Sequence, residues 1–294
     1  MIPRKKFRVM LRSGSLLLGE RTLVMGVLNV TPDSFSDGGE FLQPESAIEH
    51  AYAIERAGAD LLDIGGESTR PGSAETPAAE ELDRILPVLE ALRGRLKIPI
   101  SVDTRRASVA EIALRAGAEL LNDVSGLKSD PRIAEVAVRQ RVPLILMHMR
   151  GEPPTMQAGP FARNVMKDVT PGLRRSVAIA RKAGVGKSQI ILDPGIGFGK
   201  SFAQNYELLQ KLPQLAKLGY PLLVGTSRKG FLGATLARDG KPAPPEGRIW
   251  GTAATVTASI LNGAHIVRVH DVTEMVQVAR VADCLLDAKQ RTKS

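Results

Sequence analysis

The chain has 294 residues, which is enough for two average domains or for one large α/β barrel. Hydrophobic residues make up 43% and charged residues 24%, a balance that argues against disordered, collagen-like and coiled-coil classes. The net charge of +9 comes mainly from two basic tails, residues 1–12 and 288–294, so the sequence predicts no basic face for nucleic acid.

The cysteine content and the apolar runs exclude further classes. Cys284 is the single cysteine, so an internal disulfide or a thiolate metal site is impossible, and we expect its side chain to be buried. No stretch reaches the ~20 apolar residues of a membrane helix, and residues 19–21 interrupt the first apolar run. We therefore expect a cytoplasmic protein with solvated basic tails and no membrane or nucleic-acid partner.

Repeated units predict the architecture. Residues 7–18, with Ser13 and Gly14 at their centre, predict a hairpin that would plug the lower end of a barrel. Beyond it, a helix ending at glycine, a short apolar strand and a polar residue recur, clearly at 57–63 and 116–122 and more loosely at 262–268. Eight strands are predicted, within residues 23–29, 57–63, 98–103, 116–122, 142–148, 189–193, 220–225 and 262–268.

Amphipathic helices are predicted between the strands. One follows Thr76 as its cap and another follows Asp271, whereas Pro171 interrupts a helix near its start and residues 237–250 are typical of a loop. Apolar strands that alternate with such helices form a parallel sheet covered by helices. We therefore predict one domain over residues 1–294, a (β/α)8 TIM barrel with an N-terminal β-hairpin.

Polar residues end almost every predicted strand, where barrel enzymes carry their reacting groups. Any one of them could simply cap a helix, but helix capping does not explain charges of both signs converging on one mouth. These residues are Asn29, Asp63, Asp103, Asn122, His148, Asp193, the turn Ser227-Arg228-Lys229, Arg268 and His270.

Two ligand classes suit this mouth. The carboxylates of Asp63, Asp103 and Asp193 form an acceptor-rich pocket that is costly unless donors satisfy it. A flat heterocycle with N–H donors, such as an aminopyrimidine or pterin, would do so, and a divalent metal is the open alternative. Arg268 and His270, two apart on a strand, suit a phosphate or pyrophosphate.

Two further segments carry weaker signals. Arg70 could join that anion-binding set or be an exposed loop charge, and Ser227 at a helix start favours another anion such as a carboxylate. Residues 195–201 (GIGFGKS) are similar to a nucleotide-binding P-loop. The required first glycine falls at Pro194, so we do not expect nucleotide binding.

Eight motifs together resemble the signature set of bacterial dihydropteroate synthases, in the pterin-binding family. They occur in the family's order, and the resemblance covers roughly residues 15–288, although Gln204 stands where histidine is frequent. The motifs are 29–39 (NVTPDSFSDGG), 63–72 (DIGGESTRPG), 101–104 (SVDT), 122–126 (NDVSG), 147–149 (MHM), 193–200 (DPGIGFGK), 227–229 (SRK) and 268–271 (RVHD).

The resemblance implies a reaction and a cofactor. It implies a transferase, of a family that sulfonamides target, that joins 4-aminobenzoate to (7,8-dihydropterin-6-yl)methyl diphosphate and releases pyrophosphate in folate biosynthesis. It implies that Asn29 ligates Mg2+ near the diphosphate, that loop 30–39 closes over the site, and that the protein is a homodimer. We expect a dissociative substitution without a covalent enzyme intermediate.

The residue roles that the resemblance implies follow the motifs. The catalytic residues are Asp103, Arg268, His270 and Asp33. The pterin contacts Asp103, Asn122, Met147, Asp193, Lys229 and Arg268. The diphosphate contacts Asn29, Thr69, Arg70, Arg268 and His270. The aminobenzoate contacts Phe35, Ser36, Thr69, Pro71, Phe198 and Ser227.

Two other functions compete with this interpretation. A methyltetrahydrofolate methyltransferase domain would share the pterin-holding acids, but it gives no reason for the cations Arg70, Arg268 and His270. A requirement for cobalamin would favour it. A non-catalytic barrel that binds a folate or RNA is the second alternative, and pterin binding without turnover would favour that one.

Overall fold

A computed structural model describes residues 4–31, 44–68, 73, 75–152 and 155–291, with side chains described to residue 287. Eight parallel strands form the sheet in the order β8-β7-β6-β5-β4-β3-β10-β9, and a parallel bridge between Leu192 and Leu222 closes it. The predicted (β/α)8 barrel is confirmed. The strands are β3 (Leu23–Asn29), β4 (Leu61–Gly65), β5 (Ile100–Asp103), β6 (Leu120–Asp123), β7 (Leu144–Met147), β8 (Ile190–Asp193), β9 (Leu223–Val224) and β10 (Ile266–Val269).

Ten α-helices lie in the described part of the chain, and their apolar faces cover the outside of the barrel. None of them is long and apolar enough to cross a membrane. They are α1 (Pro44–Arg56), α2 (Ala78–Leu92), α3 (Ala107–Ala116), α4 (Arg132–Gln140), α5 (Val165–Lys182), α6 (Phe202–Gln210), α7 (Leu212–Ala216), α8 (Gly230–Thr235), α9 (Ile249–Leu261) and α10 (Val272–Arg291).

Side chains along each strand point alternately out of and into the barrel, so the protein has an outer core among the helices and an inner core inside the barrel. In β4, Leu62 and Ile64 pack outward among the helices, whereas Leu61 packs inside the barrel. In β8, Ile190 joins the outer core and Ile191 the inner one. Side chains at every second position therefore fill the barrel, and the next inward position toward the carboxyl end of each strand reaches its mouth.

The N-terminal hairpin forms the floor of the barrel, as predicted. Strand β1 (Phe7–Met10) pairs with β2 (Ser15–Leu18) in antiparallel register. Val9 and Leu18 are buried in the inner core, together with Met25, Leu61 and Ile145 from the barrel strands. The hairpin thus closes the amino-terminal end and leaves the opposite end as the mouth.

The prediction of a solvated N-terminal tail is wrong for Arg4, the first described residue, whereas Lys5 and Lys6 are exposed as predicted. The Arg4 side chain is only 4% exposed, and its Nη2 lies 2.5 Å from Asp283 Oδ1 of α10. Its Nη1 also donates to Thr22 Oγ1. Arg12 donates to the carbonyl oxygens of Leu114 and Ala118 at 3.0 Å. The Arg4 side chain is thus buried against the floor of the barrel, and Arg12, although exposed, binds the end of α3.

Three local predictions are corrected by tertiary context. Cys284 is exposed, because it lies on the outer face of α10. Helix α2 begins after Pro77 without a side-chain cap, so Thr76 is not its cap. Pro171 lies inside α5, which begins earlier than predicted, at Val165, where Asn164 caps it.

Candidate active site

The predicted strand-end residues converge because they share the inward register. In each of five strands, a side chain of the inner core is followed two positions later by a residue at the mouth. These five residues are Asp63 in β4, Asn122 in β6, Met147 in β7, Asp193 in β8 and Arg268 in β10. All parallel strands end at the same rim, so these side chains form a second layer above the apolar floor. The site is therefore a polar layer of the barrel interior.

Arg268 joins two acids at the centre of this layer. Its Nε donates to Asp63 Oδ2 at 2.6 Å, and its Nη2 donates to Asp103 Oδ2 at 3.0 Å. Asn122 Nδ2 also donates to Asp63 Oδ2, at 2.9 Å. Asp63 Oδ1 is buried and has no hydrogen-bond partner within the described residues. Because Arg268 already compensates Asp63 and Asp103, the arrangement disfavours a divalent metal among the three acids.

Burial changes the ionisation of the acids. It raises the pKa of Asp193 to about 6, although a 2.7 Å hydrogen bond from the Gly195 amide and the charge of Lys229 oppose that rise. Burial also raises the pKa of Asp103, and its ion pair with Arg268 opposes that rise. Carboxylates in such surroundings gain from a ligand that brings N–H donors.

Lys229 and Phe198 form the cationic and aromatic side of the mouth. Lys229 Nζ lies 4.0 Å from the centroid of the Phe198 ring, and burial lowers the pKa of this lysine to about 8. Phe198 packs with Met147, Met149 and Met156 in a separate buried cluster. This methionine-rich wall offers a flat ring an apolar face beside the acids.

A strained turn carries Ser227. Its hydroxyl accepts a hydrogen bond from the His270 amide at 3.1 Å and lies 3.0 Å from His270 Nδ1. Arg228 has a φ of 57°, which is unusual for a residue other than glycine. Asp271 accepts a hydrogen bond from the Arg228 guanidinium at 2.5 Å, and Arg248 donates to the backbone carbonyl of Arg228 at 2.7 Å. These contacts fix the turn between β9 and α8.

The glycine-rich loop is not a phosphate cradle. Gly195 and Gly199 have positive φ, and a Cβ at these positions would lie 1.9 Å from the His148 carbonyl oxygen and 2.0 Å from that of Arg150. The glycines therefore allow the β8–α6 loop to pack directly on the segment after β7. Lys200 points into this junction and is buried, unlike a nucleotide-binding lysine.

A second ion-pair network lies beside the mouth and was not predicted. Glu67 accepts hydrogen bonds from Arg105 and Arg106, and the Thr76 amide donates to it at 3.1 Å. Burial tends to raise the pKa of Glu67, but these hydrogen bonds outweigh it and lower the pKa. Arg106 also reaches the buried Glu81. The network anchors the segment after β4, and its members are scattered in sequence, so no motif reveals it.

The remaining predicted residues divide into two groups. Asn29 ends β3 opposite Gly65 and is half-buried at the rim. No group of three or more His, Cys, Asp or Glu side chains is arranged for a metal ion in the described ranges. Outside the described residues lie Asp33, Phe35, Ser36, Thr69, Arg70 and Pro71.

Comparison with known proteins finds one family and several relatives with similar sequences and folds. The model of the family described as pterin binding enzyme matches residues 25–270. A dihydropteroate synthase of Synechocystis sp. is 51% identical over 267 residues, which are 91% of each chain. The Yersinia pestis dihydropteroate synthase solved with a sulfonamide drug has a TM-score of 0.88 at 42% identity, covering 96% of this chain and 100% of its own. The Clostridium difficile enzyme solved in the presence of pteroic acid has a TM-score of 0.84 at 44% identity, covering 91% and 98%.

Proposed function

Since this chain belongs to the pterin-binding enzyme family, and within it to the dihydropteroate synthases, we propose that its barrel mouth joins 4-aminobenzoate to (7,8-dihydropterin-6-yl)methyl diphosphate. The products are 7,8-dihydropteroate and pyrophosphate. One observation carries the proposal: buried acids and cations meet in one layer, where Arg268 binds Asp63 and Asp103 near Asp193 and Lys229. The relatives are named as synthases, so neither the methyltransferase nor the non-catalytic alternative is favoured.

The pterin ring binds among the acids. Its N–H groups donate to Asp193 and Asn122, and its carbonyl accepts from Lys229. Met147 lies against one face of the ring, and Arg268 covers another part of it. The raised pKa of Asp193, caused by burial, supports this assignment because ring N–H donors would replace the lost water.

The diphosphate binds on the side of Arg268 and His270, with Thr69 and Arg70 as further partners. Asn29 fits a magnesium site there, because its side chain supplies one oxygen at the rim, and Mg2+ commonly takes one or two protein oxygens and completes its shell with phosphate and water. When bound, Mg2+ would supply positive charge for the departing diphosphate.

The aminobenzoate binds at the outer side of the mouth. Phe198 packs against its ring and Ser227 lies near its carboxylate, with Phe35, Ser36, Thr69 and Pro71 completing the subsite. The position of Phe198 under Lys229 supports this assignment, since the two side chains join the pterin and aminobenzoate subsites. The loop that carries Asp33 closes over both substrates and excludes water.

The substitution is dissociative. The bond between the methylene carbon and the diphosphate oxygen breaks first, and its electron pair leaves with the diphosphate, which Arg268 and His270 stabilise. The Asp103 carboxylate and the electron-rich dihydropterin stabilise the cationic methylene. The arylamine lone pair then forms the new C–N bond, and the amine proton passes to the released diphosphate.

Product analysis tests this proposal. Purified protein is supplied with dihydropterin diphosphate, labelled 4-aminobenzoate and Mg2+, and both products are quantified. We expect dihydropteroate and pyrophosphate in equal amounts, with no label or pterin attached to the protein by mass spectrometry. A trapped pterin–protein adduct would contradict the dissociative course, and no dihydropteroate at all would contradict the function.

The assembly and location complete the proposal. Val281 and Leu285 are exposed one turn apart on α10, beside the exposed Cys284. We propose that two copies pair through this face as a homodimer and that the protein is cytoplasmic. Sedimentation equilibrium tests the assembly: Leu285→Glu is expected to shift the mass toward the monomer, and an unchanged mass in the variant would contradict this interface.

A further inference from the structure

A lysine without access to solvent lies beneath the mouth. Lys200 is 2% exposed, and its Nζ donates to the carbonyl oxygens of Phe198 at 2.9 Å and of His148 at 3.2 Å. The third neighbour is His148 Nδ1, also at 3.2 Å. Three acceptors match the three N–H groups of an ammonium. The charge is thus held by neutral acceptors in a fixed geometry.

The histidine is suited to accept this bond. Burial and the charge of Lys200 lower the pKa of His148 to about 2, so its ring is neutral. Nδ1 faces Lys200, and Nε2 lies 3.6 Å from Asp168 Oδ2. These partners assign the proton to Nε2, which leaves Nδ1 free to accept. The buried ammonium is costly, and burial lowers the pKa of Lys200 to about 7, although the charges of Asp193 and Asp168 oppose that shift.

The histidine has no room to move. A Cβ at Gly172 of α5 would lie 2.4 Å from His148 Cδ2. A Cβ at Gly195 would lie 1.9 Å from the His148 carbonyl oxygen. Helix and loop therefore pack directly on both sides of His148. Two of the three acceptors of Lys200, both on His148, therefore belong to a rigid part of the barrel directly after β7.

Lys200 lies on the same loop as Phe198, and its bonds to His148 connect that loop to this rigid part. Its bond to the Phe198 carbonyl ties that residue to β7, while the Gly197 amide donates to Asn205 Oδ1 at 2.6 Å on the other side. The Phe198 ring in turn lies 4.0 Å from Lys229 Nζ. The position of the ring therefore depends on the bond from Lys200.

We propose that Lys200 is a positioning residue for the aminobenzoate subsite, acting through the Phe198 carbonyl to hold the Phe198 ring beside Lys229. The inference rests on the proposed function, in which this ring packs against 4-aminobenzoate. It also gives the last residue of the GIGFGK segment a purpose other than phosphate binding. The pterin residues Asp193 and Asn122 lie on the barrel strands, and among the described residues Lys200 donates only to His148 and Phe198, not to either of them.

A double-mutant cycle tests the proposal. Lys200→Met keeps the length of the side chain and removes its three donors, and we expect the KM for 4-aminobenzoate to rise about tenfold. The KM for dihydropterin diphosphate is expected to stay within about twofold. In a Phe198→Leu background, Lys200→Met is expected to add less than about twofold, because the ring that it positions is gone.

A second variant perturbs the same contact without altering the lysine. Gly172→Ala pushes on the His148 ring, and we expect a smaller rise in the same KM. This variant enters the same cycle with Phe198→Leu if Lys200→Met does not fold. Lys211→Met, at a half-exposed lysine that pairs with Glu207, is the matched control and is expected to leave both KM values unchanged.

The outcomes separate the two proposals. Equal increases in both KM values, or effects of Lys200→Met and Phe198→Leu that simply add, would overturn the positioning role and leave a structural one. Failure of the wild-type protein to form dihydropteroate would overturn the proposed function, and this inference with it.

Discussion

The two ends of the barrel differ in how far their buried polar and charged groups find partners within the protein. At the floor, Asp283 accepts hydrogen bonds from Arg4 and from both the amide and the hydroxyl of Thr22. His265 accepts from the Leu222 amide through Nδ1, and its Nε2 lies 3.0 Å from the Lys5 carbonyl oxygen. At the mouth, Asp63 Oδ1 lacks a partner within the described residues. The side chains of Asp283 and His265 at the floor are thus satisfied by the protein itself.

The two ends of the barrel therefore have different roles. Burial raises the pKa of Asp193 and lowers that of Lys229, so the mouth keeps charges in a state that costs folding free energy. Such groups are typical of sites that wait for a ligand. We expect substitutions at the mouth to change activity more than stability, and substitutions at the floor to do the reverse.

The largest expected effect is at the mouth. Asp193→Ala and Lys229→Ala are each expected to lower kcat/KM for dihydropterin diphosphate by on the order of 10²–10³-fold, because a charged hydrogen-bonding partner of the ring is lost. Neither is expected to lower the free energy of unfolding, since each removes a costly buried charge. Steady-state kinetics and urea unfolding check this. A kcat/KM within tenfold of the wild-type value in either variant would contradict the role of the mouth in binding the ring.

The next effect is at the floor. Arg4→Met is expected to lower the free energy of unfolding by about 3 kcal/mol, because it leaves Asp283 buried without its cation. It is expected to leave kcat/KM unchanged. The matched control is Lys6→Met, whose ion pair with Glu20 is exposed and is expected to contribute nothing measurable. Equal stability of the two variants in urea would contradict the role of Arg4.

The floor is also expected to be sensitive to acid. Burial lowers the pKa of His265 from 6.5 to about 4, so the unfolded chain binds its proton first as the pH falls. The stability that depends on the neutral ring is complete above about pH 6.5 and is lost toward pH 4, by roughly 3 kcal/mol. Urea unfolding of wild type and His265→Gln between these pH values measures the difference. If the free energy of unfolding falls equally with pH in both proteins, His265 does not cause the sensitivity to acid.

The smallest expected effect is the pH dependence of activity at the mouth. Asp193, with a pKa of about 6, has to be ionised, and Lys229, with a pKa of about 8, has to be protonated. The value of kcat/KM for dihydropterin diphosphate is therefore expected to fall about tenfold per pH unit below the first pKa and above the second. A profile that stays flat from pH 5 to 9 would show that these groups do not bind the ring.

Sequence predicted the barrel and much of the polar layer for one physical reason. Apolar strands with a period of two place Leu61 inside the barrel and Asp63 above it, so strand ends mark the mouth. The same register places Asp63 and Arg268 in one layer and so could have predicted their ion pair, which the motifs alone do not predict. The residue roles remain predictions.

Other features depend on contacts between distant segments. Counting tail charges could not reveal that Arg4 meets Asp283, 279 residues away. The prediction that Cys284 is buried rests on the usual behaviour of a free cysteine, and only the packing of α10 shows that this side chain is exposed. Lys200 follows a glycine pattern similar to a P-loop, and only the packing of that loop on His148 gives it another role.

A crystal structure with pteroic acid bound tests the central claim most directly. We predict the pterin ring between Asp103, Asn122, Asp193 and Lys229, with the aminobenzoate ring against Phe198. Electron density for the ligand anywhere else, with the mouth filled by water, would contradict it.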